Sequence, residues 1–202
     1  MRIALGVQYN GSAFCGWQTQ PDMPNVQDTL ESALKAFATV PISTICAGRT
    51  DTGVHATHQV VDFEAPVARP LNAWVRGVNT FLPPTVAVRW ACEVPDDFSA
   101  RFSATERTYE YWLLNDPVRS PLMEAVGCVF RPCDEMKMQE AAQCLLGEHD
   151  FTSFRASECQ AKSPIRTIHE ITVKRCGNMI GIRLRANAFL HHMVRNIVGS
   201  LV

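Results

Sequence analysis

The stretch RIALGVQY, residues 2–9, decides the fold because its apolar side chains occupy every second position. Alternation of this kind is typical of a β-strand that buries one face and exposes the other. The sequence therefore predicts a strand at the start of the chain, with a buried face formed by Ile3, Leu5, Val7 and Tyr9.

Helices and strands alternate in the segments that follow. Asn25 is predicted to cap a helix with one apolar stripe, and Pro70 is predicted to begin a second helix. Strands are predicted at 43–47, 58–64 and 85–94. The resulting order, β-α-β-β-α-β, is that of the ferredoxin-like fold.

The same order begins again in the second half of the chain. A strand at 106–115 precedes a helix that Asp134 caps and that extends to Leu146. Two further strands flank the hairpin signal Gly177-Asn178, and residues 189–202 are predicted to form a last helix.

These elements define the expected fold class, which is α+β with two ferredoxin-like β-α-β-β-α-β halves. We place the halves at residues 1–95 and 96–202. The second half lacks the strand that would follow its last helix, so we expect the natural protein to continue beyond Val202.

Composition restricts the possible classes of function. Apolar residues make up 47% of the chain and the net charge is −1, an ordinary balance for a globular protein. No apolar run approaches the roughly 18 residues of a membrane span, and the N-terminus has no signal-peptide profile, so we expect a soluble cytoplasmic protein. Arginine outnumbers lysine by 15 to 4, and guanidinium groups suit contacts with phosphates and bases.

The eight cysteines are scattered and form no Cys-x-x-Cys pair. We therefore expect buried free thiols in a reducing compartment rather than disulfides or a zinc site. One of them, Cys92, is expected to continue the face of a strand that also carries Val86, Val88 and Trp90.

The octapeptide GRTDTGVH, residues 48–55, places one carboxylate, Asp51, between two glycines. Its Asp-Thr-Gly triplet matches that of aspartic proteases, but Arg49 would favour the ionised carboxylate and oppose the shared proton of a protease dyad. Asp51, His55 and His58 could instead hold a metal ion. A third alternative is structural, with Asp51 closing a tight turn.

Two further positions combine positive charge with an apolar pattern. Arg107 shares a predicted strand face with Tyr109 and Tyr111, which suits base stacking beside a phosphate, although tyrosines in a strand usually pack in a core. Arg195 lies within an apolar helical pattern, where it would either face solvent or pair with a carboxylate.

Five long motifs together resemble the tRNA pseudouridine synthase A family. In chain order they are YNGSAFCGWQTQP (9–21), AGRTDTGVHA (47–56), ARFSATERTYEYWL (100–113), GEHDFTSFRASECQAKSPIRTI (147–168) and RANAFLHHMVRNIVGSL (185–201). The resemblance covers nearly the whole chain, with a departure at Pro117, where the family carries a further basic residue.

The resemblance implies both a fold and an activity. The fold would consist of two ferredoxin-like halves in one continuous mixed sheet with a central cleft. The activity would be isomerisation of uridine to pseudouridine in the anticodon arm of tRNA, at tRNA positions 38, 39 and 40. The family acts as a homodimer and needs no metal and no cofactor, so we expect the same here.

The resemblance also implies roles for single residues. Asp51 matches the catalytic aspartate, and Arg195 matches the arginine that pairs with it. Tyr109 matches the tyrosine that packs on the target base, and Arg49 matches the arginine that helps to flip that base. Further substrate contacts are expected from Arg69, Arg101, Arg107 and Lys162, and from the stretches 98–102 and 158–162.

Two forms of the chemistry remain open. Asp51 would either attack the sugar carbon, as carboxylates do in retaining glycosidases, or remove a proton from the neighbouring sugar carbon. Both require an ionised Asp51, which a partner such as Arg195 favours. Two other functions are weighed against this one, a non-catalytic RNA-binding fragment and a hydrolase that uses Asp51.

Overall fold

The computed structural model describes residues 1–202. The chain divides into two compact units, Met1–Ala104 and Thr105–Val202. The boundary lies a few residues later than the expected 95/96, because the short helix Ala100–Ser103 packs against strands of the first unit.

The first unit has the predicted order of elements. They are β1 (Arg2–Tyr9), α1 (Val26–Ala38), β2 (Ile45–Cys46), β3 (Ala56–Glu64), α2 (Leu71–Asn79), β4 (Val86–Val94) and α3 (Ala100–Ser103). The strands form one antiparallel sheet in the order β2-β3-β1-β4. This is the strand order of a ferredoxin-like sheet, in which each helix connects strands that are not neighbours.

The core of the first unit lies between β1 and the two helices. Ile3, Leu5 and Val7 are completely buried, as the alternation of RIALGVQY predicts. The Asn25 side chain accepts a hydrogen bond from the Asp28 N–H at 2.8 Å, which confirms the predicted cap of α1.

Strand β4 does not keep the single face that its alternation predicts. Val7 is paired with Val88 but Gly6 is paired with Trp90, so Arg89 is an extra residue opposite β1. A β-bulge of this kind reverses the faces of the residues beyond it. The expectation that Cys92 continues the face of Val88 is therefore wrong.

The second unit contains two short strands that the sequence patterns did not predict. Its elements are β5 (Arg107–Asn115), β6 (Gly127–Val129), α4 (Glu135–Gln143), β7 (Gly147–Asp150), β8 (Ile165–Cys176), β9 (Met179–Ala186) and α5 (Met193–Leu201). The sheet order is β6-β5-β9-β8-β7, and only the β5–β6 pair is parallel. The additional strands, β6 and β7, lie at the two edges of this sheet.

The α+β class is confirmed, but three details differ from expectation. Strand pairing forms one sheet in each unit, so the pairing does not show the expected single continuous sheet. Helix α4 ends at Gln143 rather than Leu146. Helix α5 begins at Met193 rather than 189, because His192 adopts a left-handed conformation with φ of 62° that a helix cannot contain.

All eight cysteines are free, but none of them belongs to the fully buried core. Cys144 and Cys176 are exposed, and the other six are partly exposed. The expectation of buried thiols is therefore wrong, because most of the cysteines lie at the ends of elements or in loops. The structure contains no helix with the length and apolar character that crossing a membrane requires.

One buried carboxylate ties helix α3 to the sheet of the first unit. Asp62 on β3 is completely buried, forms an ion pair with Arg2 and accepts a hydrogen bond from the Ala100 N–H at 2.7 Å. Because a buried carboxylate is stable only when it is paired and hydrogen-bonded, these contacts belong together. They fix the start of the segment that carries Arg101 and Phe102.

We predict that Asp62→Ala lowers the free energy of unfolding by about 2–4 kcal/mol, since it leaves the Ala100 N–H and Arg2 without their partner. The matched control is Glu110→Ala, which removes the half-exposed Glu110–Arg183 ion pair. Exposed pairs contribute less than about 1 kcal/mol. Urea unfolding of both variants measures the difference, and equal losses would contradict the anchoring role of Asp62.

Candidate active site

The loop that follows β2 contains a tight turn that begins at Asp51. The Asp51 carbonyl oxygen accepts a hydrogen bond from the Val54 N–H at 3.1 Å, and Gly53 has φ of 79°. A positive φ at the third position of a β-turn is typical of type II and favours glycine. The structural alternative is thus partly correct, because the backbone of Asp51 closes a turn.

Two side chains of the sheet hold the first half of this loop. Gln59 on β3 donates a hydrogen bond to the Gly48 carbonyl oxygen and accepts one from the Gly48 N–H at 3.4 Å. The Tyr9 hydroxyl at the end of β1 lies 2.8 Å from the Thr50 hydroxyl. The residues on both sides of Arg49 are therefore bound to strands, while Arg49 itself is exposed.

The segment after β1 holds the loop from its other side. The Trp17 N–H donates to the Thr50 carbonyl oxygen at 2.9 Å, and the Gly53 N–H donates to the Phe14 carbonyl oxygen at 3.2 Å. Backbone bonds on both sides of Asp51 leave the loop little freedom to move. The half-buried Asp51 is thus presented on a fixed support.

The loop histidines do not form a metal site with Asp51. His55 Nδ1 accepts a hydrogen bond from the Gly11 N–H at 3.1 Å, so this nitrogen already has a structural role. Neither His55 nor His58 belongs to a group of side chains that lies close enough to Asp51 to share one ion with it.

Two arginines of the first unit lie near the same thiol. Burial raises the pKa of Cys46 to about 11, while the positive charges of Arg49 and Arg101 oppose this rise. Helix α3 packs against β2, which ends at Cys46, and Arg49 follows three residues after that cysteine. The structure therefore brings Arg49, from the loop after β2, and Arg101, from α3, to one region of the unit.

Aromatic rings lie beside two of the predicted contact arginines. The guanidinium carbon of Arg69 lies 4.5 Å from the centre of the Phe37 ring, and that of Arg101 lies 5.3 Å from the Phe102 ring. Phe37 belongs to helix α1, so Arg69 lies on the helical layer of the unit. Phe102 is 81% exposed, which leaves its ring accessible to a base.

In the second unit, β5 carries the predicted pair of Tyr109 and Arg107. The Tyr109 ring packs edge-to-face on Phe189 with centres 5.0 Å apart, and the Arg107 guanidinium donates to the Asn187 carbonyl oxygen at 2.9 Å. Tyr111 packs against the apolar core. The two tyrosines therefore differ. Tyr111 packs against the core, as tyrosines in a strand usually do, whereas the half-buried Tyr109 lies two residues from Arg107 on the same strand.

Helix α5 is joined to the loop that precedes β8. The Asn196 side chain donates to the Phe154 carbonyl oxygen at 2.9 Å, and the Ala156 N–H donates to the His191 carbonyl oxygen at 3.0 Å. Arg195 is exposed in the first turn of α5, a position that its spacing alone did not decide.

The loop at 155–162 contains a cysteine, Cys159, with two arginines nearby. Burial raises the pKa of the Cys159 thiol, but backbone hydrogen bonds and the charges of Arg155 and Arg166 outweigh burial, so the pKa lies below its ordinary value. Lys162 is exposed in the same loop. The predicted contact stretch 158–162 thus contains one basic side chain, Lys162, and one carboxylate, Glu158, and it lies near Arg155 and Arg166.

The sequence patterns did not identify the side chains that support the Asp51 loop. Tyr9 and Gln59 were assigned only to strands, and both are almost completely buried. The one available signal was the amide of Gln59 inside the apolar strand HQVVDFE, since a buried amide needs hydrogen-bond partners. Nothing in the sequence shows that those partners belong to Gly48.

Comparison with known proteins assigns the chain to one family. A sequence model of the family described as tRNA pseudouridine synthase matches residues 6–103 and 141–202. The match includes the Asp51 loop, helix α3 and helix α5.

Individual relatives agree with this match. The chain is 58% identical to tRNA pseudouridine synthase A of Burkholderia multivorans over 203 residues and 59% identical to that of Burkholderia vietnamiensis over 203 residues. It is 59% identical to tRNA pseudouridine synthase A of Herminiimonas arsenicoxydans over 206 residues. Each alignment covers 100% of this chain and 75% of the relative.

We predict that Gly11→Ala destabilises the protein by about 1–3 kcal/mol, because a Cβ atom there would lie 2.1 Å from the Val54 carbonyl oxygen. The control is Gly53→Ala in the same loop, where a Cβ meets no atom within 4 Å and only backbone strain of about 1 kcal/mol is expected. Urea unfolding compares the two variants. A Gly11→Ala protein as stable as the wild type would show that the packing of residues 10–17 on the loop is not rigid.

Proposed function

This chain belongs to the tRNA pseudouridine synthase family. We propose that it converts tRNA uridine to pseudouridine at a site that contains the Asp51 loop. The enzyme class is that of an isomerase. We further propose that the target uridines lie in the anticodon arm, at positions 38, 39 and 40, and that Asp51 alone supplies the reacting carboxylate.

The observation that carries this proposal is the fixed loop around Asp51. Hydrogen bonds hold Gly48 and Thr50 before the carboxylate and Gly53 after it. A reacting group held in one geometry avoids the loss of freedom that a mobile group would incur in the transition state. A loop with a merely structural turn would not need support from β1, from β3 and from the segment 10–17.

The reaction needs no oxidant, because its bonds balance within the substrate. The N1–C1′ bond breaks, the uracil turns, and a C5–C1′ bond forms. C5 loses its hydrogen and N1 gains one, so the product is an isomer of the substrate. Asp51 either bonds to C1′ while the base turns or removes and returns a proton at C2′.

The other predicted residues would bind the substrate. Tyr109 offers an aromatic face to the extruded uracil, and stacking of this kind is worth about 1–3 kcal/mol per base. Arg49 lies in the Asp51 loop and Arg101 lies near Cys46, the last residue before that loop segment begins at Ala47, and both would bind phosphates or occupy the space that the base leaves. Arg195 is proposed as the cation that favours the ionised form of Asp51.

Arg69, Arg107 and Lys162 are proposed as further tRNA contacts. Arg69 and Arg107 each use part of the guanidinium on a protein group, Phe37 and the Asn187 carbonyl oxygen respectively. Both are thereby held in place for a phosphate. We also propose that the protein acts in the cytoplasm as a homodimer, as the family resemblance implies.

We predict that Asp51→Ala abolishes pseudouridine formation, with a loss of at least about a thousand-fold, because no other residue replaces the reacting carboxylate. Binding of tRNA should change little, since tRNA affinity depends mainly on cations. Chemical mapping of pseudouridine on unmodified tRNA measures the product, and a filter-binding assay measures the affinity.

The control for this experiment is Glu64→Ala, which removes an exposed carboxylate at the end of β3. Normal product from the Asp51→Ala protein would refute the role of Asp51. If the wild-type chain binds tRNA but forms no product at any uridine, RNA binding without catalysis becomes the better description of its function.

We predict that Arg101→Ala weakens tRNA binding and lowers the slope of log affinity against log salt concentration by about one, as expected for one lost phosphate contact. Arg76→Ala is the control, because Arg76 is exposed on α2 and has no proposed contact. Fluorescence titrations at several salt concentrations provide both slopes. An unchanged slope for Arg101→Ala would exclude a phosphate contact there.

A further inference from the structure

Gln59 is a buried polar residue in the middle of an apolar sheet. Its exposed fraction is 7%, and its neighbours along β3 include the completely buried Val61. Burying an amide without partners is unfavourable by several kcal/mol on apolar transfer scales. A buried Gln59 therefore needs hydrogen-bond partners, and the identity of those partners indicates its role.

Those partners belong to the loop and not to the ladder of the sheet. The amide nitrogen donates to the Gly48 carbonyl oxygen, and the amide oxygen accepts from the Gly48 N–H at 3.4 Å. The same nitrogen lies 3.5 Å from the Tyr9 hydroxyl, which in turn lies 2.8 Å from the Thr50 hydroxyl. One side chain thus binds Gly48 directly and Thr50 through Tyr9.

The position of Asp51 depends on this network. Strand β2 ends at Cys46, and its pairing with β3 covers only Ile45 and Cys46. The Ala47 N–H still donates to the Val60 carbonyl oxygen of β3. From Gly48 onward, the contacts between the loop and the sheet are made by the side chains of Gln59 and Tyr9.

We propose that Gln59 is a positioning residue for Asp51: its amide binds both backbone groups of Gly48 and so sets the geometry of the reacting carboxylate. The proposal rests on the proposed function of the loop. Since a displacement of about 1 Å at a reacting group can lower a rate by about a hundred-fold, loss of this clamp should reduce kcat. It should leave tRNA affinity nearly unchanged, because Gln59 is buried.

The first unit contains a second clamp of the same chemistry, which provides a matched control. Asn79 at the end of α2 donates to the Val88 carbonyl oxygen and accepts from the Val88 N–H, both at 2.8 Å. It joins α2 to β4, and both of its hydrogen bonds are to Val88, outside residues 48–55. Gln59→Glu and Asn79→Asp make the same change in each clamp, replacing an N–H donor by an oxygen that faces a carbonyl oxygen.

The experiment measures kcat at saturating tRNA, the dissociation constant for tRNA and the midpoint of thermal unfolding for both variants. Both should unfold at lower temperature than the wild type. Gln59→Glu should also lower kcat by about a hundred-fold with a nearly unchanged dissociation constant. Asn79→Asp should leave kcat within about two-fold, which separates positioning from general loss of stability.

A pH series provides a second readout. When the new carboxyl group of Gln59→Glu is protonated, it can again donate to the Gly48 carbonyl oxygen. The ratio of its kcat to that of the wild type should therefore rise as pH falls. The titratable groups near the site, the Tyr9 phenol, Cys46 and Asp51, are present in both proteins, so their own titrations cancel in the ratio. Gln59→Met, which cannot donate at any pH, should show a flat ratio.

Three outcomes would overturn the proposal: equal effects of Gln59→Glu and Asn79→Asp on kcat, a loss of tRNA affinity without a loss of kcat, or a pH ratio that matches that of Gln59→Met. If Gln59→Glu does not fold, Gln59→Met replaces it in the experiment. A lower kcat with unchanged tRNA affinity in Gln59→Met would support the proposal, and an unchanged kcat would overturn it. Absence of product from the wild type would instead refute the proposed function.

Discussion

The hydrogen bonds that bind Gly48 to Gln59 on β3 and Thr50 to Tyr9 at the end of β1 hold the loop that carries Asp51 against the sheet. They depend on the register of the central strands, because Tyr9 and Gln59 reach the loop only while β1 and β3 stay paired. A slip of one residue between these strands would turn the side chains of one of them to the other face, so Tyr9 and Gln59 could no longer reach the loop together. The apolar packing of RIALGVQY, which sets that register, therefore also supports the candidate site.

Positive charge around the loop comes from separate elements of the first unit. Arg49 lies in the loop itself, whereas Arg101 is carried by α3, whose start is bound to the buried Asp62. The net charge of the chain is only −1, so the basic region is local. An arginine next to an exposed aromatic ring, as Arg101 is to Phe102, suits a single-stranded or extruded nucleotide better than a regular double helix.

Much of the fold could be predicted from periodicity, and the failures have physical causes. The order of β1 to β4 follows from alternation and from the Asn25 cap, which depend on neighbouring residues only. The bulge at Arg89 and the left-handed His192 depend on tertiary pairing and backbone geometry, which no local pattern encodes. Strands β6 and β7 are too short to show a period.

In the candidate site, too, local patterns identify some residues, while others depend on tertiary pairing. Asp51, Arg49 and Tyr109 were identified from motifs, because their chemistry is visible in residue type and spacing. Gln59 was not, because its partner lies 11 residues earlier and the contact exists only once β2 and β3 are paired. Residues proposed to react can thus be found in the sequence, whereas residues proposed to position them are found only in the structure.

The central claim is that one carboxylate, held by this network, drives the exchange of the N1–C1′ bond for a C5–C1′ bond. Its most direct test uses tRNA with tritium at C5 of uridine, since that hydrogen is lost only when C5 becomes bonded to the sugar. The wild-type chain should release tritium to water in step with product, and Asp51→Asn, which keeps the size of the side chain but removes its charge, should release none. Release by Asp51→Asn at the wild-type rate would contradict the account.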